Sequence, residues 1–400
     1  MTNNKDKKVL NVPNLRFPEF TDKWEAGKLE EYILLVSGQD LSSEQYTDKE
    51  DVYPYITGAS SLNSEGIILN RWTHTPTQIV KRGDILLVCK GSGVGQLTVL
   101  SNVDKAHIAR QIMGIRAKNT ESQLFIYHYL SRLMTELKKR STGIIPGIDR
   151  KSILSLHISI PSLQEQQKVA ELLSLIEQRI ITQNKIIEKY ESLIQAICNT
   201  LIEAEQPKVE LSFNDFGEPY SGLSGKSSED FGKGCQYITY MNVYQNQIID
   251  ITDVGFVKIN ETEQQSVVRY GDILFTLSSE TPNEVGLGAV YLGDTYPLYL
   301  NSFCFGVHII DESKIFPPFL AYYISTKSFR KAVFPLAQGS TRFNLQKSDF
   351  MKKKFLFPTV EKQNKIYSVL KAYSDKLSIE KNIANLLCEQ KSYLLRQLFI

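Results

Sequence analysis

Two stretches far apart in this chain carry the same punctuation. Residues 158–180 read ISIPSLQEQQKVAELLSLIEQRI, and residues 355–377 read FLFPTVEKQNKIYSVLKAYSDKL. At an offset of 197, Pro161 falls on Pro358, Gln166 on Gln363 and Leu173 on Leu370. Other echoes lie at nearby offsets: LRFPEF (15–20) matches LSFNDF (211–216) at 196, and RGDILLV (82–88) matches YGDILFT (270–276) at 188. Internal duplication outranks most other sequence signals, because each copy must fold as one unit of a repeated architecture. The chain is therefore read as two copies of a β-rich body followed by a long helix.

From Gln164 to Ile202 there is no glycine or proline, and apolar residues recur at steps of three and four. One row is Leu173, Ile180, Ile187, Ile194 and Leu201, and the other is Val169, Ile176, Gln183, Tyr190 and Ile197. The second copy offers Leu370, Leu377, Ala384, Lys391 and Leu398, with Ile366, Tyr373, Glu380, Leu387 and Leu394. A seam sustained over about four to five heptads predicts a coiled coil. An amphipathic helix lying on a globular core is the plainer alternative. Gln183 and Glu380 interrupt the seam at equivalent places, as register-fixing polar residues or as solvated ends of a worn seam. If the helices pair antiparallel, the bodies sit at opposite ends. A 39-residue helix would then be a ruler of about 58 Å, close to 17 base pairs of DNA.

The bodies read as short strands bounded by Gly, Asn, Asp and Ser, with shorter helices near 124–139 and 318–333. The expected fold is α+β: two β-rich bodies alternating with two long helices that pair as an antiparallel coiled coil. The expected division is 1–163 and 204–360 for the bodies, with 164–203 and 361–400 for the helices. Outside the shared punctuation the bodies hardly resemble each other, so the scaffold is kept while the loops differ.

Composition excludes several classes. At 400 residues, 42% hydrophobic and 22% charged, the chain is long enough for two cores. A net charge of +2 neither announces nor excludes a nucleic-acid binder, since binding depends on where Lys and Arg cluster. The cysteines (Cys89, Cys198, Cys235, Cys304, Cys388) are scattered, without CxxC pairs, which favours a reducing, cytoplasmic setting over disulfides or zinc. No apolar run reaches the roughly 18 residues needed to span a bilayer, and the polar start MTNNKDKK leads into no signal-peptide core.

Catalytic signatures fail one by one. KGSGVGQ (90–96) follows a strand but leads into another strand, QLTVLSNV, rather than the helix a phosphate-binding turn must open. GLSGKS (222–227) has Tyr220 where a phosphate loop needs glycine. FPPF (316–319) resembles the NPPY motif of adenine methyltransferases, but Phe316 cannot accept the hydrogen bond that such a motif's polar first residue accepts. The histidines show no ligand spacing, and no nuclease-like carboxylate pair is evident.

What remains is binding chemistry. In the first body Arg71, Trp72, Lys81, Lys90, Arg110 and Gln111 lie in or beside loops, together with His74, Arg82 and Arg116. The second offers Tyr240, Asn242, Asn301, Arg342, Asn344 and Lys347, with Lys258 and Arg269. Arg and Lys suit phosphates or guanine, while Asn and Gln bond adenine through two atoms. For each residue alone a solvated surface role is the favoured reading, and as loop sets on duplicated scaffolds they gain weight. QGSTRFN (338–344) combines flexibility, hydroxyls, Arg and Asn, and STGIIPGIDR (141–150) stands in the same place in the first copy.

These features together resemble the specificity subunit of type I restriction–modification systems. LRFPEFTDKWE, the paired RGDIL and YGDIL, and TGIIPGIDRKSILSLHISIPSLQEQQKVAELLSLIE carry the likeness, and the second GST…FPTVEKQNKI module completes it over nearly the whole chain. The resemblance implies a non-catalytic, DNA-binding subunit for bacterial defence. Each body would be a target recognition domain for one half of a bipartite site in double-stranded DNA. The helices would set the spacing and dock two modification (methyltransferase) subunits. S-adenosylmethionine would belong to those partners, and ATP and Mg to restriction (translocase and nuclease) subunits. No cofactor or metal is expected in this chain. A chain with its own methyltransferase or nuclease activity, or a two-headed protein-binding adaptor, are the other readings. The repeats have drifted: Glu165–Gln166 becomes Lys362–Gln363, and Lys391 occupies a seam position.

Overall fold

A computed structural model describes residues 11–63, 66–91, 93–140 and 147–400. It divides into two compact units, residues 1–185 with 381–400, and residues 186–380. Each unit therefore takes in part of both long helices. The stretch 141–146 singled out in the sequence lies outside the described residues.

In the first unit the central sheet has the order Ile33–Ser37, Ile112–Ala117, Ile85–Val88 and Leu97–Val99, with every pairing antiparallel. Ile85–Val88 is a run of apolar residues with no solvent exposure, the pattern of a strand covered on both faces. Its alternation sorts side chains between two cores. Ile85 and Leu87 join Phe125, Ile126 and Leu130 of the helix Gln123–Arg140. Leu86 and Val88 join Ile56, Val80, Leu100 and Ile108. Those last residues come from or border a second sheet, in which Lys105–Ile108 pairs parallel with Tyr53–Ile56 and antiparallel with Ile79–Lys81.

The second unit repeats the plan. Its central sheet runs Gly217–Ser221, Cys304–Ile309, Ile273–Thr276 and Gly288–Val290, again antiparallel. Ile273 and Phe275 face the core of Phe319 and Leu320, while Leu274 faces Ile238, Leu298 and Leu300. The parallel pair recurs between Phe231–Ile238 and Tyr299–Leu300. The GDIL repeats also share a turn: Gly83 (φ +90°) and Gly271 (φ +87°) hold the left-handed conformation that glycine adopts without a Cβ penalty. One helix expected near 318–333 is in fact two, Pro317–Tyr323 and Lys327–Val333. The break comes at Thr326, whose hydroxyl accepts the Phe329 N–H and caps the second helix.

The repeated punctuation has one structural meaning in both copies. A strand ends at the proline segment, His157–Ile160 or Lys354–Pro358, and a long helix begins, Leu163–Ala204 or Val360–Gln397. At 1.5 Å per residue the first of these helices is about 63 Å long. The shared glutamine is buried and locks the junction. Gln166 donates to the Pro161 carbonyl (2.9 Å) and accepts the Ser122 N–H (2.9 Å). Gln363 donates to the Pro358 carbonyl (2.8 Å) and accepts the Phe316 N–H (2.8 Å). Each carboxamide thus ties the start of a long helix to the start of the shorter helix packed in the same unit.

In the first unit Val169, Ala170 and Leu173 share a core with Leu394, Leu395, Leu398 and Phe399. Further along, Glu177 is ion-paired with Lys391, so the two helix segments run in opposite directions. The charge at Lys391 is thereby neutralised by a residue of the facing helix. In the second unit Ile194, Cys198 and Ile202 pack with Ile366 and Leu370, and Glu205 pairs with Lys362 at 2.9 Å. Ile176, Ile180, Ile187, Ile197, Leu201, Tyr373, Leu377 and Leu387 are half-buried on the helices. Gln183 and Glu380 are each 8% exposed, and Glu380 pairs with Lys376 one turn back at 2.7 Å.

Candidate nucleic-acid interface

In each unit one end of the two middle strands of the central sheet is built by the same backbone bonds. In the first unit Cys89, just past Ile85–Val88, donates to the Gln111 carbonyl (2.8 Å) and accepts the Ile148 N–H (2.8 Å). In the second, Leu277 donates to the Phe303 carbonyl (2.9 Å) and accepts the Leu345 N–H (2.8 Å). The loops around these anchors carry Lys90, Arg110 and Gln111 in the first unit and Asn301, Arg342 and Asn344 in the second.

In the first unit Lys90 and Gln111 are exposed at this end, beside the exposed Arg110. Arg110 is held by Asp40, Nε to Oδ2 at 2.8 Å, while its backbone N–H reaches the other carboxylate oxygen at 3.1 Å. Arg71 lies over the Tyr46 ring at 5.1 Å and within 3.4 Å of Asp48, so its guanidinium is positioned yet still 41% exposed. Trp72 is half-buried in a short strand against Pro54. Lys81 is exposed at the end of Ile79–Lys81. Arg82 pairs with Asp104, and Arg116 is committed to Asp84 inside the scaffold.

In the second unit Tyr240, Ser278, Phe303 and Arg342 line a pocket of about 190 Å³. The Tyr240 hydroxyl donates to the Ser278 carbonyl at 2.7 Å, and its ring stacks on Tyr244 at 5.8 Å. Burial pushes the Tyr240 phenol above its ordinary pKa, which keeps the proton that this bond uses. Arg342 and Asn344 are exposed, and Asn344 pairs through its backbone with Ser278 and Gln338. Asn301 is half-buried and accepts the Phe303 N–H at 2.9 Å. Lys347 reaches the Ser221 hydroxyl at 3.1 Å.

Asn242 does not belong on a DNA-facing surface. It is fully buried, donating to the carbonyls of Asp250 (2.7 Å) and Asp253 (2.6 Å) and accepting the Asp250 N–H (3.0 Å). Its carboxamide pins a loop, because a buried amide must satisfy its own donors and acceptor. Phe303, 62% exposed, is a candidate that no local sequence signal singles out, since it stands one residue before the apolar strand Cys304–Ile309.

The look-alike motifs have structural roles. Lys226 of GLSGKS is 5% exposed, bonded to the Lys258 carbonyl and paired with Glu263, so it is not presented to a phosphate. FPPF starts the helix Pro317–Tyr323 with proline in its first turn. In the glycine-rich stretch, the described residues 93–96 lead into the strand Leu97–Val99. Among the described residues, no group of three or more His, Cys, Asp or Glu is arranged to hold a metal, and no helix is long and apolar enough to cross a membrane.

Compared with known families, the chain matches the model of the type I restriction modification DNA specificity domain twice, over residues 21–192 and 223–389. The type I restriction enzyme MjaVIII specificity subunit of Methanocaldococcus jannaschii is 24% identical over 400 residues, covering 94% of this chain and 91% of its own. Among solved structures, the S subunit of a type I restriction–modification system from M. genitalium shares the fold. Its TM-score is 0.57 at 17% identity, with 97% of this chain and 99% of that chain covered. A second solved chain, from work on assembly of the type I system, has the same TM-score at 15% identity, with 93% and 96% covered.

Proposed function

Because the chain belongs to the type I restriction–modification DNA specificity family, we propose that it is the sequence-reading subunit of such a complex, with each unit reading one half of a split DNA site. The observation that carries this reading is one scaffold furnished in two ways. The strand order of the central sheets is the same, yet the first unit presents Lys90, Arg110 and Gln111 where the second presents Tyr240, Phe303 and Arg342. Identical readers would suit identical half-sites, and these readers differ, so the site is asymmetric. Cationic groups beside the reading loops supply phosphate contacts, which position without specifying.

Chemistry is left to partners: two modification subunits that bring S-adenosylmethionine, and restriction subunits that use ATP and Mg. The long helices dock the modification subunits and set the gap between half-sites. Leu175 (57% exposed), Leu193, Ile379 and Leu386 stand out on these helices, which supports a surface completed by other chains. The complex would work on genomic DNA in the cytoplasm.

Methylation-aware sequencing of DNA exposed to the assembled complex tests the reading. The expected result is one bipartite, asymmetric modified sequence, and none with this chain alone. Active, assembled modification subunits that mark no bipartite sequence would overturn it. Matched heptad insertions in both long helices should lengthen the unspecified gap and leave both half-sites unchanged.

A further inference from the structure

The duplicated backbone lets one unit be read against the other, residue by residue. Gln111 and Phe303 are structural counterparts, since each offers its carbonyl to the first residue past the GDIL strand. The parallel strand pairs give a second match. Ile56 lies beside Ile108, and Ile238 beside Leu300, so the residues two places on, Gly58 and Tyr240, are counterparts too.

The two positions change together. In the first unit a Cβ at residue 58 would stand 2.8 Å from the Gln111 carboxamide oxygen, so glycine leaves the space that this amide occupies. In the second unit Tyr240 fills that place and lines one pocket with Phe303. The backbone of Phe303 is held on both sides, by Leu277 through its carbonyl and by Asn301 through its N–H, and its ring is 62% exposed. A large apolar side chain left in solvent, on a backbone held on both sides, has no role in either core.

We propose that Gln111 and Phe303 are the specificity-determining residues of the two units, Gln111 reading adenine in one half-site and Phe303 reading the methyl group of thymine in the other. The inference rests on each unit being a half-site reader. A carboxamide matches the adjacent acceptor and donor that adenine shows in the major groove. A phenyl ring has no donor or acceptor, and the one apolar feature on a base edge there is the thymine methyl. Arg342, on the rim of the same pocket, supplies the charge for a neighbouring phosphate.

The test uses complexes assembled with modification subunits, carrying the wild-type chain, Gln111→Ala or Phe303→Gln. Methylation-aware sequencing should show an adenine requirement relaxed in one half-site for Gln111→Ala. It should show a thymine requirement lost in the other half-site for Phe303→Gln, with each opposite half intact. Replacing that thymine by uracil should weaken wild-type binding about fivefold or more and leave Phe303→Gln indifferent. Should Phe303→Gln fail to assemble, Phe303→Ala carries the same test, because it keeps both backbone bonds. A wild-type complex that marks a split site while the variants leave both halves unchanged and uracil has no effect overturns this inference alone. A wild-type complex that marks no split site overturns the functional reading beneath it.

Discussion

Arg116 grips both carboxylate oxygens of Asp84, Nε to Oδ1 at 2.7 Å and Nη2 to Oδ2 at 2.6 Å. Asp84 is the aspartate of the first GDIL repeat, and it also accepts the Lys81 N–H across the glycine turn at 2.7 Å. In the second repeat Asp272 accepts the Arg269 N–H in the same way (2.8 Å). Its outward partners are His308 (2.9 Å) and the Tyr220 hydroxyl (2.7 Å). His308 stands on Cys304–Ile309 where Arg116 stands on Ile112–Ala117, so the repeated motif marks a turn clamped to the neighbouring strand.

The Asp84 side chain is 4% exposed, so removing its partner should cost more than removing both. Arg116→Met is expected to lower the stability of the first unit by about 3 kcal/mol, leaving a buried carboxylate unpaired. The Asp84→Asn/Arg116→Met double variant should recover part of that loss. A double-mutant cycle by urea unfolding measures the coupling.

Gln363 predicts a similar result for the second unit. Gln363→Leu strands the Phe316 N–H and the Pro358 carbonyl. The expected cost is about 2–3 kcal/mol, since both groups lie at a partly buried junction and lose a hydrogen-bond partner there. Amide hydrogen exchange at Phe316 should accelerate well beyond that of neighbours outside the junction. Protection equal to wild type would refute the locking role.

His128 makes the first unit acid-sensitive. Burial holds its imidazole at a pKa of about 4, opposed by the facing Glu177 and reinforced by Lys391. An unfolded histidine titrates near 6.5, so below that pH the unfolded chain takes up a proton that the folded chain refuses. The associated stability is complete above about pH 6.5 and is lost as pH falls toward 4, up to about 3 kcal/mol. His107, also depressed by burial, acts in the same direction. Urea midpoints between pH 7 and 5 should fall in the wild type and fall less in His128→Phe.

The ion pair between the helices gives a charge-reversal test. Glu177 and Lys391 are 21% and 25% exposed, so screening by solvent is incomplete. Lys391→Glu is expected to cost about 1 kcal/mol by setting like charges together. The Glu177→Lys/Lys391→Glu swap should restore most of it. Melting of the wild type and the two variants at low and high salt checks both the sign and the electrostatic origin.

The repeat, the strands and the long helices were legible because each is written in local pattern: apolar runs, glycine turns and steps of three and four. The chemistry of the reading end was legible only in part. Asn242 has the composition of a contact residue, and nothing local reveals that two backbone carbonyls claim its amide. Phe303 was hidden for another reason. Its counterpart Gln111 lies 192 residues away, whereas the GDIL strands match at 188 and the helices at 197. Loops of unequal length shift the alignment between scaffold segments, and only the shared backbone bonds restore it.

The placement of Leu394, Leu395, Leu398 and Phe399 in the first unit's core has a consequence in time. A ribosome adds roughly 5–20 residues per second, so that core waits on the order of ten to forty seconds after residue 185 has been made. Through that interval Val169, Ala170 and Leu173 lack the apolar cover of Leu394, Leu395, Leu398 and Phe399 while the whole second unit is synthesised. A message cut short before codon 381 would therefore spoil the half of the protein translated first, and the nascent chain needs shelter for the part that emerged earlier.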